Sequence, residues 1–326
     1  MTLAARAFWV TEPGCGEIRA TEIGEAGPGQ VLVEASYSAV SRGTEALVFE
    51  GRVPPAEYER MRCPHQEGQF PAPVKYGYAS VGRVLEGASA WRARTVFCLH
   101  PHQSHYLVPE ADVVAVPEGV PPARAVLAAN METALNALWD ARPLVGDRIS
   151  VVGGGVIGCL TAYLCSRAFA DVELIDVLPE RASLAAALGV AFATPEQATR
   201  GRDLVFHASG SAEGLRSALT LADADAQVIE LSWFGDREVA LPLGEAFHAE
   251  RLTLRSSQVG TVSPHARRRF THRRRLELAL LLCREPQLDL LFSGESELEA
   301  LPDVMRELAR PGAGAVCHRI RYGTQT

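Results

Sequence analysis

Three sets of residues have types and spacing that could do chemistry. The first is Gly153-Gly154-Gly155-Val156-Ile157-Gly158, a GxGxxG spacing that follows the apolar run 149–152 and opens a helical stretch over 156–168. Gly153 permits a tight turn, Gly155 lets a pyrophosphate approach the backbone, and Gly158 allows close helix–strand packing. The N–H groups at Val156 and Ile157 face the phosphates from the helix N-terminus. The next apolar run, 172–175, ends in Asp176, an acid placed to accept hydrogen bonds from an adenosine ribose. A carboxylate there repels a 2′-phosphate, and no arginine follows until Arg181, which favours NAD over NADP. The second set is Lys75 and Tyr78, in Val74-Lys75-Tyr76-Gly77-Tyr78. A phenol beside an ammonium can exchange a proton with a substrate oxygen, because the cation favours the phenolate. Residues three apart on a regular strand face opposite sides, so this pair meets only if the strand begins after Lys75 or bends at Gly77. The third set is Cys98, His100, His102 and His105. On a strand, the first three would point to one face, as metal ligands could. Such ligands need support from elsewhere in the chain, so hydrogen bonding is the preferred role, with His102 and His100 toward the substrate and no metal bound.

Further candidates surround these. Ser41 and Thr44 are hydroxyls able to relay a proton, and Glu45 and Glu132 are carboxylates able to act as bases when desolvated. Lys75 is the one lysine among 32 basic residues, and a compact, titratable ammonium does what a guanidinium cannot. In His207-Ala208-Ser209-Gly210, Ser209 and Gly210 end a strand at the ligand-binding edge of a parallel sheet, where they contact the cofactor; Trp233 and Gln258 end the next two. Trp233 would wall the pocket beside the cofactor, and Gln258 would bind a polar group of the substrate. Between Arg267 and Arg275 there are six arginines in nine residues. Arg273 in that run would clamp a carboxylate or phosphate, which makes an anionic small molecule a natural substrate.

The elements that must position these groups follow from length and pattern. A chain of 326 residues supports two domains with their own cores. Hydrophobic residues at 47% and charged residues at 22% exclude a disordered chain. Residues 1–128 carry short β-type runs broken by Gly and Pro, among them 30–35, 74–85, 94–98 and 106–108. Over 129–262, strands alternate with helices, the signature of βαβ units and a doubly wound parallel sheet. Residues 263–326 hold helical patterns at 276–283 and 301–308 and a final strand at 316–322. The fold class is α/β. A formal charge of −7 argues against nucleic acid or an anionic membrane as partner. Seven scattered cysteines without a CxxC pair point to reduced thiols and a cytoplasmic protein, and no apolar run approaches the roughly 18 residues of a membrane span.

The whole pattern resembles the medium-chain dehydrogenase/reductase superfamily. The likeness rests on Ser41-Arg42-Gly43-Thr44-Glu45 where members carry Cys-x-x-Asp, on Gly77-Tyr78-Ala79 where they carry Gly-His-Glu, and on the GxGxxG with Asp176. It implies a GroES-like catalytic domain (1–128, completed by the return 263–326), a Rossmann NAD-binding domain (129–262), hydride transfer in a cleft facing the nicotinamide, and a homodimer through the Rossmann sheet edge. The zinc ligands of the family would fall at Ser41, Tyr78, Ala79 and Glu132, and the four-cysteine lobe expected after Phe97 is absent, so zinc is not expected. Ser-x-Gly-Thr-Glu paired with Gly-Tyr is similar to zinc-less branches such as the bacteriochlorophyllide a dehydrogenases. The expected activity is NAD-dependent interconversion of an alcohol and a carbonyl. Reduction of an activated C=C bond, as in quinone and enoyl reductases of the superfamily, is the alternative enzyme reading. RNA binding, reported for zinc-less crystallin-like members, is the alternative of another class.

Overall fold

The computed structural model describes residues 2–169, 171–310 and 312–323. The chain forms two compact units: Met1–Ala129 with Leu276–Arg284 and Phe292–Thr326, and Asn130–Arg275 with Glu285–Leu291. The return to the first unit starts at Leu276, later than the boundary at 263 read from composition, because Arg275 is still tied to Glu132, Asn136 and Val259 of the second unit.

In the first unit, β1 (Leu3–Glu12) and β2 (Cys15–Ile23) form an antiparallel hairpin. β3 (Gln30–Val40) follows, then the short helix α1 (Arg42–Phe49). The expected run 74–85 is two strands, not one. β4 (Glu67–Gly68) and β5 (Val74–Lys75) join the hairpin in a four-stranded sheet ordered β2-β1-β5-β4, whereas β6 (Ser80–Glu86) pairs with β3 in another sheet. The chain changes sheets at Gly77, whose φ of 134° suits glycine, and a Cβ there would lie 2.9 Å from the His102 ring. β7 (Thr95–Cys98), β8 (His105–Pro109) and β9 (Val113–Ala115) extend this second sheet, and α2 (Pro122–Ala125) follows. Val31, Val33, Val84, Val96, Tyr106 and Val108 pack as its core.

The second unit begins in α3 (Ala128–Ala141). β10 (Arg148–Val152), α4 (Val156–Ser166), β11 (Asp171–Ile175), α5 (Arg181–Ala187), β12 (Ala191–Ala193), β13 (Arg202–His207), α6 (Ala212–Leu221), β14 (Ala222–Glu230) and β15 (Thr253–Ser256) build a parallel sheet ordered β12-β11-β10-β13-β14-β15. Its central strands read as continuous apolar runs because both faces are buried: Ile149, Val151, Leu174, Val205 and Phe206 are fully enclosed. The order reverses at β10, so β10 and β13 flank the switch point where such sheets bind ligands.

The chain then returns through α7 (His272–Leu282), β16 (Phe292–Glu297), α8 (Leu301–Leu308) and β17 (Cys317–Arg321). β17 runs antiparallel to β3 with Arg321 opposite Tyr37, completing the order β16-β17-β3-β6-β7-β9. Among the described residues no helix is long and apolar enough to cross a membrane.

Candidate active site

The first unit gathers a set of polar side chains around α1. Ser41 is the residue before that helix, and its N–H donates to Glu45 Oε1 at 2.7 Å, so the carboxylate folds back over the helix start. The other carboxylate oxygen accepts from His102 Nε2 at 2.8 Å, and both side chains are almost wholly buried. A carboxylate only accepts, so the imidazole proton sits on Nε2. His102 Nδ1 then accepts from Ser38 Oγ at 2.7 Å, and Ser38 in turn accepts from the Tyr322 phenol at 2.9 Å. Glu45, His102, Ser38 and Tyr322 therefore form one unbroken hydrogen-bonded chain, drawn from α1, the loop after β7, β3 and the residue after β17.

Tyr78 is half-buried near the Glu45 carboxylate, with its phenol hydrogen-bonded by Ser41 and Thr44. Burial pushes its pKa above the ordinary phenol range; the Glu45 charge adds to that, and the two hydroxyls pull the other way. At neutral pH Tyr78 is a neutral donor. Cys63 lies against the Gly77 backbone, and burial pushes its thiol up to about 12, so it is no thiolate.

Lys75 is not beside Tyr78, and it does not lower the phenol's pKa. Lys75 ends β5, whereas Tyr78 sits in the connection that turns at Gly77 before β6 begins at Ser80. The Lys75 ammonium donates to Glu67, opposite it in the β4–β5 pair, and to Gln103, whose amide donates to the His105 carbonyl at 2.6 Å. Cys98, His100 and His102 do not share a strand face, because β7 ends at Cys98. His100 stacks on Tyr106 at 3.8 Å and shares a hydrogen bond with the Pro101 carbonyl at 2.9 Å, and burial holds its pKa well below the usual imidazole range. His100 is thus an enclosed core residue. Glu132 is likewise buried, and its carboxylate accepts from Arg275 Nε at 2.9 Å; burial raises its pKa although the guanidinium opposes that. Gln258 is exposed and folds onto its own turn, accepting from the Gly260 N–H at 2.7 Å. Arg273 is exposed on α7, and Trp233 is half-buried after β14.

These positions do not fit a catalytic zinc. Ser41 and Tyr78 offer a hydroxyl and a phenol where thiolate and imidazole would be needed, and Glu132 is taken by Arg275. Among the described residues no three His, Cys, Asp or Glu side chains converge as a metal-binding group.

A dinucleotide does fit the second unit. Gly153 has φ 112°, and a Cβ there would meet the Ser209 backbone N at 2.6 Å; at Gly158 it would meet the Gly153 carbonyl at 1.7 Å. At Gly155, the residue before α4, a Cβ would meet nothing within 4 Å, leaving open space over the helix N-terminus. Asp176 follows β11, and its carboxylate accepts from the Gly154 N–H at 2.5 Å and the Leu178 N–H at 2.9 Å. Ser209 is oriented by His207, which is fully buried: Nδ1–H donates to Glu230 at 2.7 Å, so Nε2 accepts from Ser209 at 2.6 Å. Gly210 N–H donates to Ser232 Oγ at 3.0 Å, joining the loops after β13 and β14.

Sequence reasoning missed Ser38, Tyr322 and Glu230. Tyr322 and Ser38 are 284 positions apart and meet only through the β3–β17 pairing, for which no local spacing is a signal. Glu230 ends a strand run that was visible, but its pairing with His207 depends on the β13–β14 register.

No family model and no curated protein matches the sequence. Solved structures do match over nearly the whole chain. L-idonate 5-dehydrogenase from Escherichia coli K-12 superposes with a TM-score of 0.81 at 17% identity, covering 98% of this chain and 99% of that one. A putative zinc-binding dehydrogenase from Sinorhizobium meliloti 1021, bound to NADP, gives 0.77 at 21%, covering 98% and 99%. The 2R,3R-butanediol dehydrogenase from Bacillus subtilis gives 0.77 at 17%, covering 97% and 99%. At such identities the likeness is one of fold: the chain shares the fold of these solved dehydrogenases.

Proposed function

We propose that this chain is an NAD(H)-dependent oxidoreductase that interconverts an alcohol and a carbonyl without catalytic zinc. The observation that carries this reading is the neutral Tyr78 phenol held by Ser41 and Thr44 beside the buried Glu45–His102 pair. Gly153, Gly155, Gly158, Val156, Ile157 and Asp176 would hold the dinucleotide, whose nicotinamide supplies or accepts the hydride when bound. Tyr78 donates to the substrate oxygen, polarising a carbonyl and delivering the proton that completes the alcohol. In the other direction it takes that proton. Ser41 and Thr44 stabilise the phenolate while it lasts, Tyr78 regains or gives up its proton by exchange with solvent, and the hydrogen-bonded chain from Glu45 through His102 and Ser38 to Tyr322 holds the Glu45 carboxylate in place beside it. The Asp176 carboxylate supports NAD over NADP, and the hydroxyl and phenol donors at Ser41 and Tyr78 support zinc independence.

The test is fluorescence titration with NADH and NADPH, followed by turnover of a panel of secondary alcohols, polyols and ketones in chelator-treated protein. NADH should bind more tightly than NADPH, and turnover should survive metal removal. Absence of NADH binding, or activity restored only by added zinc, would overturn the reading. The second reading, reduction of an activated C=C bond, needs oxyanion stabilisation more than a strong acid, and the Ser41 and Thr44 hydroxyls offer donors without Tyr78. Activity that persists in Tyr78→Phe, with enones as substrates, would favour that second chemistry.

A further inference from the structure

The arginine run 267–275 plays no part in the chemistry above, and the fold separates its members. Arg275 is buried, donating to Glu132, Asn136 and the Val259 carbonyl. Arg274 lies over the Phe270 ring at 4.5 Å and also reaches the Arg269 carbonyl. Phe270 packs on Trp139 with ring centres 4.6 Å apart. Next to this stack, within the second unit, is a groove of about 450 Å³ lined by Leu138, Trp139, Arg142, His265, Ala266 and Arg269. Its volume falls within the range of about 300–1,000 Å³ typical of small-molecule sites.

The lining has a distinctive chemistry. It holds two guanidiniums, an imidazole and an indole, and no carboxylate. Among the described residues neither the Arg142 nor the Arg269 guanidinium has an ion-pair or hydrogen-bond partner. Arg142 follows the last residue of α3 with φ 54°, the left-handed conformation in which glycine is the usual occupant. Unpaired arginines on a concave surface favour phosphate, which they grip in charge-assisted, bidentate fashion. The Trp139 indole in the lining, packed against Phe270, is an aromatic partner for a planar ring. The chain's net charge of −7 disfavours a long polyanion and leaves a short one as the match.

We propose that this groove binds a nucleoside monophosphate, with its phosphate between Arg142 and Arg269 and its base on Trp139. The site is independent of the dinucleotide cradle. The test is calorimetric titration of the full chain with AMP in saturating NADH, which fills the Asp176 cradle, with inorganic phosphate and adenosine as the partial ligands. One AMP should bind per chain, at least tenfold more tightly than either fragment. The Arg142→Gln/Arg269→Gln variant should lose at least tenfold in AMP affinity at unchanged NADH affinity, and Trp139→Phe should retain most of it. Should the chain fail to take up NADH, AMP binding that is lost in the arginine variant but retained in Asp176→Asn would still identify the groove. The proposal is overturned by no AMP binding at millimolar concentration, by affinity indifferent to the arginine pair, by phosphate binding as well as AMP, or by single-stranded RNA binding more tightly than AMP.

Discussion

Tyr78 differs from a free phenol in its surroundings, and its predicted behaviour follows from them. Burial and the Glu45 charge keep it protonated above the ordinary phenol range, so carbonyl reduction should hold its rate as pH rises through that range. Replacing it with Phe removes the acid and should lower kcat by about 10²–10⁴-fold with KM little changed, read from steady-state kinetics on any alcohol the panel yields. Lys75→Met separates two roles that the sequence alone conflates. The ammonium satisfies Gln103 and Glu67, so its loss should cost about 1–3 kcal/mol in a urea melt and leave the pH profile of turnover unmoved. A shifted profile would return Lys75 to the chemistry. Ser41, Thr44, Glu45 and Tyr78 were legible because they fall in two short motifs. Ser38 and Tyr322 were not, since strand pairing alone brings them to His102.

At the scale of elements, the βαβ core was readable from its apolar runs and glycine spacing: β10, β11 and β13 lie within a residue or two of where the pattern put them. The first unit was harder. Its run 74–85 looked continuous, but β5 ends at Lys75 and Tyr78 falls in the connection to β6, which is why the two part. The glycines of the cradle differ in what they tolerate. Gly158→Ala would drive a Cβ into the Gly153 carbonyl and should destabilise by about 1–3 kcal/mol, lowering the melting temperature. Gly155→Ala meets open space, so the fold should keep its stability within about 0.5 kcal/mol. The same methyl group stands where the pyrophosphate must approach, so NADH affinity should fall at least tenfold by fluorescence titration. Normal NADH binding by the Gly155→Ala variant would move the phosphates elsewhere.

Across the whole molecule, four histidines of the first unit, His65, His100, His105 and His318, have pKa values lowered from 6.5, each chiefly by burial. The folded state then binds fewer protons than the unfolded chain. Their contribution to stability is complete above about pH 6.5 and is lost as pH falls below it. Hydrogen exchange should therefore show protection of β3 and β8 amides declining between pH 7.5 and 5.5, after correction for the intrinsic exchange rate; constant protection would contradict this. The placement of β17 between β16 and β3 has another consequence, for biosynthesis. Domains generally fold as units during synthesis. Here β3 leaves the ribosome early, yet its neighbour β17 is made only after the whole parallel-sheet unit. The parallel-sheet unit can thus form on a nascent chain while the hydrogen-bonded chain through Ser38 and Tyr322 is still impossible. Translation order withholds this chain of side chains until synthesis has passed β17.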